Sequence, residues 1–116
     1  MPNYRVNTSA VNQARSLIDD GKYDDRTEWS EAAPNADDAN TDIERSGFDD
    51  FANWHLAIDP DASEGTKGSV AFPYGDFSKV NRAALIHAKQ RASQNGHDEI
   101  EKAADDLLQY LDKKRS

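Results

Sequence analysis

The sequence predicts a mainly α fold: one small domain of four to five helices. Three observations carry that expectation. Residues 78–112 read as two amphipathic helices joined at Asn95-Gly96, an αα-hairpin. Val11, Ala14, Leu17 and Ile18 recur at helical spacing near the start of the chain. A length of 116 residues suits a single domain with one modest core. Beside the helices the sequence leaves room for one short two-stranded β-pair.

The elements follow in order. Thr8 or Ser9 is placed to cap a helix running to about Asp20, with Gly21 as its left-handed stop. Residues 22–47 form a loosely ordered acidic region. Within it Trp29 anchors a polar loop on the core, and a short helix spans Ala36 to Arg45 and stops at Ser46-Gly47. Phe48, Phe51, Ala52, His55 and Leu56 fit a helix, whereas Trp54, Leu56 and Ile58 alternate like a strand. A helix to about Trp54 with an extended end satisfies both. Asp59-Pro60 closes that segment. Val70 and Phe72 mark a short β-prone stretch that would pair with residues 54–58 and rest on helices, because two strands alone are marginal. Pro73 to Asp76 is turn chemistry. Ser78 is placed to cap the first hairpin helix, from Lys79 to about Gln94. Asp98 is placed to cap the second, whose apolar face is Ile100, Ala103, Ala104, Leu107, Leu108 and Leu111.

Charge is laid out unevenly. Residues 1–76 hold six Lys/Arg against sixteen Asp/Glu, whereas Phe77 to Asn95 holds Lys79, Arg82, Lys89 and Arg91 and no carboxylate. The net charge of −8 argues against a general binder of nucleic acid or membrane. Asp outnumbers Glu sixteen to six, as a salt-tolerant source or a chain rich in caps and turns would show. Without cysteine there is no disulfide frame, thiolate metal site or Cys nucleophile. No apolar run reaches the length needed to span a bilayer, and Met1 to Arg5 has no hydrophobic signal core, so the chain reads as cytoplasmic.

At 100° per residue, Lys79, Arg82 and Lys89 fall within about 80° of one another, while Val80, Ala84, His87, Ala88 and Ala92 face the core. Tyr74, beside Arg82, would add a ring to that face if exposed, or seat the helix on the core if buried. The bland reading of the three cations is a clamp on the protein's own acidic half.

Other motifs are incomplete. Asp59-x-Asp61-x-Ser63 and Asp38-x-Asn40-x-Asp42 begin like calcium loops, but Glu64 and Ile43 stand where the turn needs Gly. His55, His87 and His97 have no zinc spacing, no Ser sits in a GxSxG elbow, and Gly65-Thr66-Lys67-Gly68 is not a P-loop. No cofactor, metal or catalytic residue is expected.

Tyr74-Gly75-Asp76-Phe77-Ser78-Lys79-Val80-Asn81-Arg82 and Leu107-Leu108-Gln109-Tyr110-Leu111-Asp112-Lys113 resemble two motifs of a family of short, uncharacterised bacterial proteins. The similarity extends to Tyr4-Arg5-Val6-Asn7 and Trp54-His55-Leu56. Asn81 stands where the family pattern has histidine. The resemblance implies one intact small domain and no known activity.

The leading expectation is a non-enzymatic accessory protein that binds an acidic partner through Lys79, Arg82 and Lys89, with Tyr74. One alternative is nucleic-acid binding through the same helix. Another is mimicry, in which the Asp-rich stretch 36–50 imitates a phosphate backbone and occupies a basic groove on another protein.

Overall fold

Two asparagines organise the chain by doing the same two jobs. In the computed structural model, which describes residues 3–115, Asn7 and Asn81 are both buried. Met1 and Pro2, part of the segment read above for a signal core, and Ser116 lie outside the described residues. The Asn7 side chain accepts from the Ala10 amide and so caps α1, Thr8–Asp19. Its Nδ2 donates to the carbonyls of Ala52 and His55, at 3.0 and 3.1 Å. Asn81 caps α5, Arg82–Gln94, through the Ala84 amide, and its Nδ2 donates to the Thr27 carbonyl at 3.0 Å. Each residue ends an extended segment, starts a helix and ties that corner to a distant loop. Thr8 and Ser78, expected as caps, do not serve. Thr8 is already helical, and the Ser78 amide is held by Asp76 Oδ1.

Between these corners the chain forms β1 (Arg5–Val6), β2 (Tyr23–Asp24), α2 (Trp29–Ala32), α3 (Ala36–Ser46), α4 (Phe48–Ala52), β3 (His55–Ile58), β4 (Val70–Pro73) and β5 (Val80–Asn81). The chain closes with α6, Asp98–Arg115. The mainly α expectation stands, with a larger share of strand. β3 pairs antiparallel with both β1 and β4, and β2 pairs parallel with β5. The β3–β4 pair is the one anticipated. The two-residue strands carry no periodicity, which is why they were not legible. Residues 22–47, expected to be loose, carry β2, α2 and α3, and α3 opens with a reciprocal capping box between Asn35 and Asp38. Residues 48–58 do break from helix to strand, at Asn53-Trp54.

Helices α5 and α6 make the anticipated hairpin, with α5 beginning at Arg82 rather than Lys79. Ala84, Ala88 and Ala92 at four-residue spacing let the helices approach closely over Ala104, Leu107 and Leu111. The main core joins Leu85 and Ala88 of α5 and Ala104, Leu107 and Leu111 of α6 to Ala10, Ala14 and Ile18 of α1 and to Trp54, Leu56, Tyr74 and Val80. A smaller cluster of Ala57, Ala92 and Ile100 sits under Tyr4 and Phe72. Among the described residues, no helix is long and apolar enough to cross a membrane.

Candidate functional site

The four residues expected to form a binding face are divided by the fold. Tyr74 is fully buried. Its ring stacks on Trp54, its hydroxyl donates to the Asn53 carbonyl at 2.8 Å, and Gln13 Nε2 donates to that hydroxyl at 3.0 Å. Burial pushes the hydroxyl well above the ordinary tyrosine value, so it stays a donor. It seats the loop on the core and offers no exposed ring. Tyr74→Phe, which keeps the ring and deletes both bonds, is expected to cost about 1–2 kcal/mol in urea unfolding.

Lys79 lies outside the helix. It sits in a loop closed by the Gly75–Val80 bridge and held by Asp76, whose Oδ1 accepts from the Ser78 and Lys79 amides. Lys79 Nζ is itself 3.0 Å from Asp76 Oδ2. Burial pushes the Asp76 carboxyl up, but hydrogen bonds from Ser78 and Lys79 outweigh it and hold it below the usual carboxylate range. Arg82 forms a two-pronged pair with Asp112, Nε–Oδ1 at 2.8 Å and Nη2–Oδ2 at 3.1 Å. Lys89 lies 2.8 Å from Asp105. The two cations hold Asp112 and Asp105 below the usual carboxylate range.

The cationic side is therefore neutralised residue by residue from within the chain. Arg82 and Asp112 belong to the two motif segments singled out above, so their pair staples one motif to the other. A Lys79/Arg82/Lys89 triple alanine variant is expected to melt at a modestly lower temperature. Arg82 accounts for about 1 kcal/mol at most, because the pair is partly solvated.

A different side of α5 makes no ion pair among the described residues, and its Asn95 Nδ2 donates to the Arg91 carbonyl at 3.0 Å. His87, Arg91 and Asn95 follow one another at four-residue spacing and are all exposed, His87 against the expectation that it faces the core. They border a cleft of about 470 Å³ whose other walls include Tyr4, Trp29, Phe72 and His97. Tyr4, Phe72 and His97 meet edge to face, with ring centroids 5.0–6.0 Å apart. Among the described residues Arg91 has no carboxylate within ion-pair distance, and no carboxylate lines the cleft. Elsewhere Asp38, Asp42 and Asp76 border one cavity and Asp49, Asp59 and Glu64 another. An uncompensated guanidinium, two imidazoles and a carboxamide beside three rings can take an anion and an apolar or flat group together. The sequence signal was present in the i, i+4, i+8 spacing of His87, Arg91 and Asn95. It was obscured because Lys79, Arg82 and Lys89 offered a denser cluster of charge.

No family model matches the chain, nor does any curated protein or solved structure.

Proposed function

We propose that the chain is a non-enzymatic binding protein that takes an acidic partner on the His87–Arg91–Asn95 side of α5, next to the ring-lined cleft. One observation carries the reading: in a chain with twenty-two Asp and Glu residues, Arg91 opens onto a cavity lined by none of them among the described residues. The helix is the one the charge pattern pointed to, but the face is a different one. Lys79, Arg82 and Lys89 would each have to give up an existing partner to bind a new one, and Arg91 would not.

The test is fluorescence anisotropy of a labelled Glu/Tyr-rich peptide and a labelled oligo-dT, each at about 50 and about 200 mM salt. The −8 charge repels an acidic partner at long range, and salt screens that repulsion along with the local attraction. Peptide affinity is thus expected to change little between the two salts and to fall about tenfold in Arg91→Ala. It should survive in the Lys79/Arg82/Lys89 triple variant. Loss in the triple variant with retention in Arg91→Ala would return the site to the opposite face of α5. Preferential binding of oligo-dT that collapses at the higher salt would make nucleic acid the partner instead.

A further inference from the structure

Trp29 has a cavity on more than one side. Trp29 and Pro73 also border a second cavity of about 290 Å³, whose walls include Ala36, Ala39, Phe51, His55 and Phe77. This second cavity is more apolar than the first, and among the described residues its wall likewise has no carboxylate and one cation, Lys67. The two lobes share those two residues; the first follows β4, an edge strand of its sheet, at Ala71, Phe72 and Pro73, and the second meets that strand at Pro73.

Two backbone features mark the same pair of lobes. Phe72 and Phe77 are the non-glycine residues with positive φ among the described residues, at +62° and +69°. The β3–β4 ladder pairs His55 with Pro73, Ala57 with Ala71 and Ile58 with Val70, and it skips Phe72. Phe72 lines the first lobe and Phe77 the second. A bulky residue in the left-handed region is strained and persists only where the surrounding structure over-determines it.

Resting on the function proposed above, we infer that the partner is an extended peptide segment lying across Trp29 and Pro73. Its acidic side chain meets Arg91, and an aromatic or branched apolar side chain fills the lobe formed by Ala39, Phe51 and Phe77. Charge sets one end of the segment and apolar volume the other. A compact anion would fill the first lobe and leave the second in water. An extended chain also suits the edge of a short sheet, where bound peptides commonly run.

The test is selection of a phage-displayed library of random linear dodecapeptides on the immobilised full chain. Selected peptides are then titrated against Arg91→Ala and against Ala39→Trp, which fills the second lobe. Circular dichroism checks that each variant folds, and Ala36→Trp, at an exposed position on the same rim, replaces Ala39→Trp if it does not. The expected result is enrichment of sequences carrying an acid and an aromatic or branched apolar residue at a fixed spacing, with about tenfold or greater loss of affinity in both variants. Peptides sensitive to Arg91→Ala but indifferent to filling the second lobe would overturn the inference and leave the acidic-partner reading intact. Selected peptides indifferent to Arg91→Ala, or no enrichment at all, would overturn both.

Discussion

Gly75→Ala is expected to cost about 3 kcal/mol or more and to lower the melting temperature by roughly 10 °C or more. Gly75 is buried where the Tyr74–Val80 loop folds back over Trp54. A methyl group there would sit 2.3 Å from the Lys79 carbonyl oxygen and 2.6 and 2.8 Å from two carbons of the Trp54 ring. The carbonyl is backbone and belongs to the loop closed by the Gly75–Val80 bridge, so it cannot swing aside without opening that loop. Trp54 is equally constrained, stacked on Tyr74 at a 5.3 Å centroid separation and edge-on to Phe77. Overpacking at such a point transmits strain instead of absorbing it. Gly68→Ala is the control, since nothing lies within 4 Å of its added methyl group and it should be close to neutral. Urea unfolding of the two variants side by side checks the prediction. Equal stability would mean that the loop does not fold back on Trp54 as described.

The second large effect is acid lability centred on His55. Burial pushes this imidazole from its ordinary 6.5 down to about 4, against a weaker upward pull from the carbonyls of Phe51 and Ala52. Its Nδ1–H donates to the Phe51 carbonyl at 2.9 Å, so the neutral ring is the satisfied form. The unfolded chain therefore binds a proton that the folded chain refuses. The stability of the neutral, buried state is complete above pH 6.5 and falls as pH drops towards 4, by about 3 kcal/mol in all.

Asp42 works in the opposite direction. Burial first, and then the Asp50 carboxylate beside it, raise its value from 3.8 to about 6, and its Oδ2 is buried with no hydrogen-bond partner among the described residues. A proton on Asp42 supplies the donor that two ionised carboxylates lack. Here the folded state is the one that gains the proton, so this contribution grows as pH falls through 6 and is complete below 3.8. The two trends overlap and partly cancel in the native chain. Asp42→Asn removes the second, so that variant is expected to be more stable than the native chain at pH 7 and to lose stability more steeply between pH 7 and 4.5. Urea midpoints across that range check the prediction, and parallel curves for the two proteins would contradict it.

What could be read from the sequence follows from where the signal was long. The hairpin was legible because Ile100, Ala104, Leu107 and Leu111 repeat over eighteen helical residues. The break inside residues 48–58 was legible because its apolar residues fit two periods at once. The caps were misplaced by one to three residues. Asn7 precedes two plausible hydroxyl caps, and Ser78 precedes Asn81, so composition alone favoured the wrong side chains. Val80 reads as helical because it continues the four-residue spacing of Ala84, Ala88 and Ala92. What holds it extended is non-local: the Lys22 carbonyl accepts from its amide at 3.1 Å, and Tyr23 pairs with it in register. The cationic cluster misled for a related reason. Asp112 and Asp105 lie thirty and sixteen residues from Arg82 and Lys89, and only the closed hairpin shows that those charges are already matched. The cleft beside Arg91 draws on Tyr4, Trp29, Phe72 and His97, which no sequence window holds together.

The measurement that bears most directly on the cleft is a two-dimensional amide NMR titration of the full chain with phenyl phosphate, a ring carrying an anion, against inorganic sulfate at matched ionic strength. Saturable shifts at residues 87–97, at Ala71 and Phe72 and at the Trp29 indole, larger for phenyl phosphate than for sulfate and absent in Arg91→Ala, are the predicted result. Shifts confined to Lys79, Arg82, Lys89 and their carboxylate partners, or shifts identical for the two anions, would contradict it.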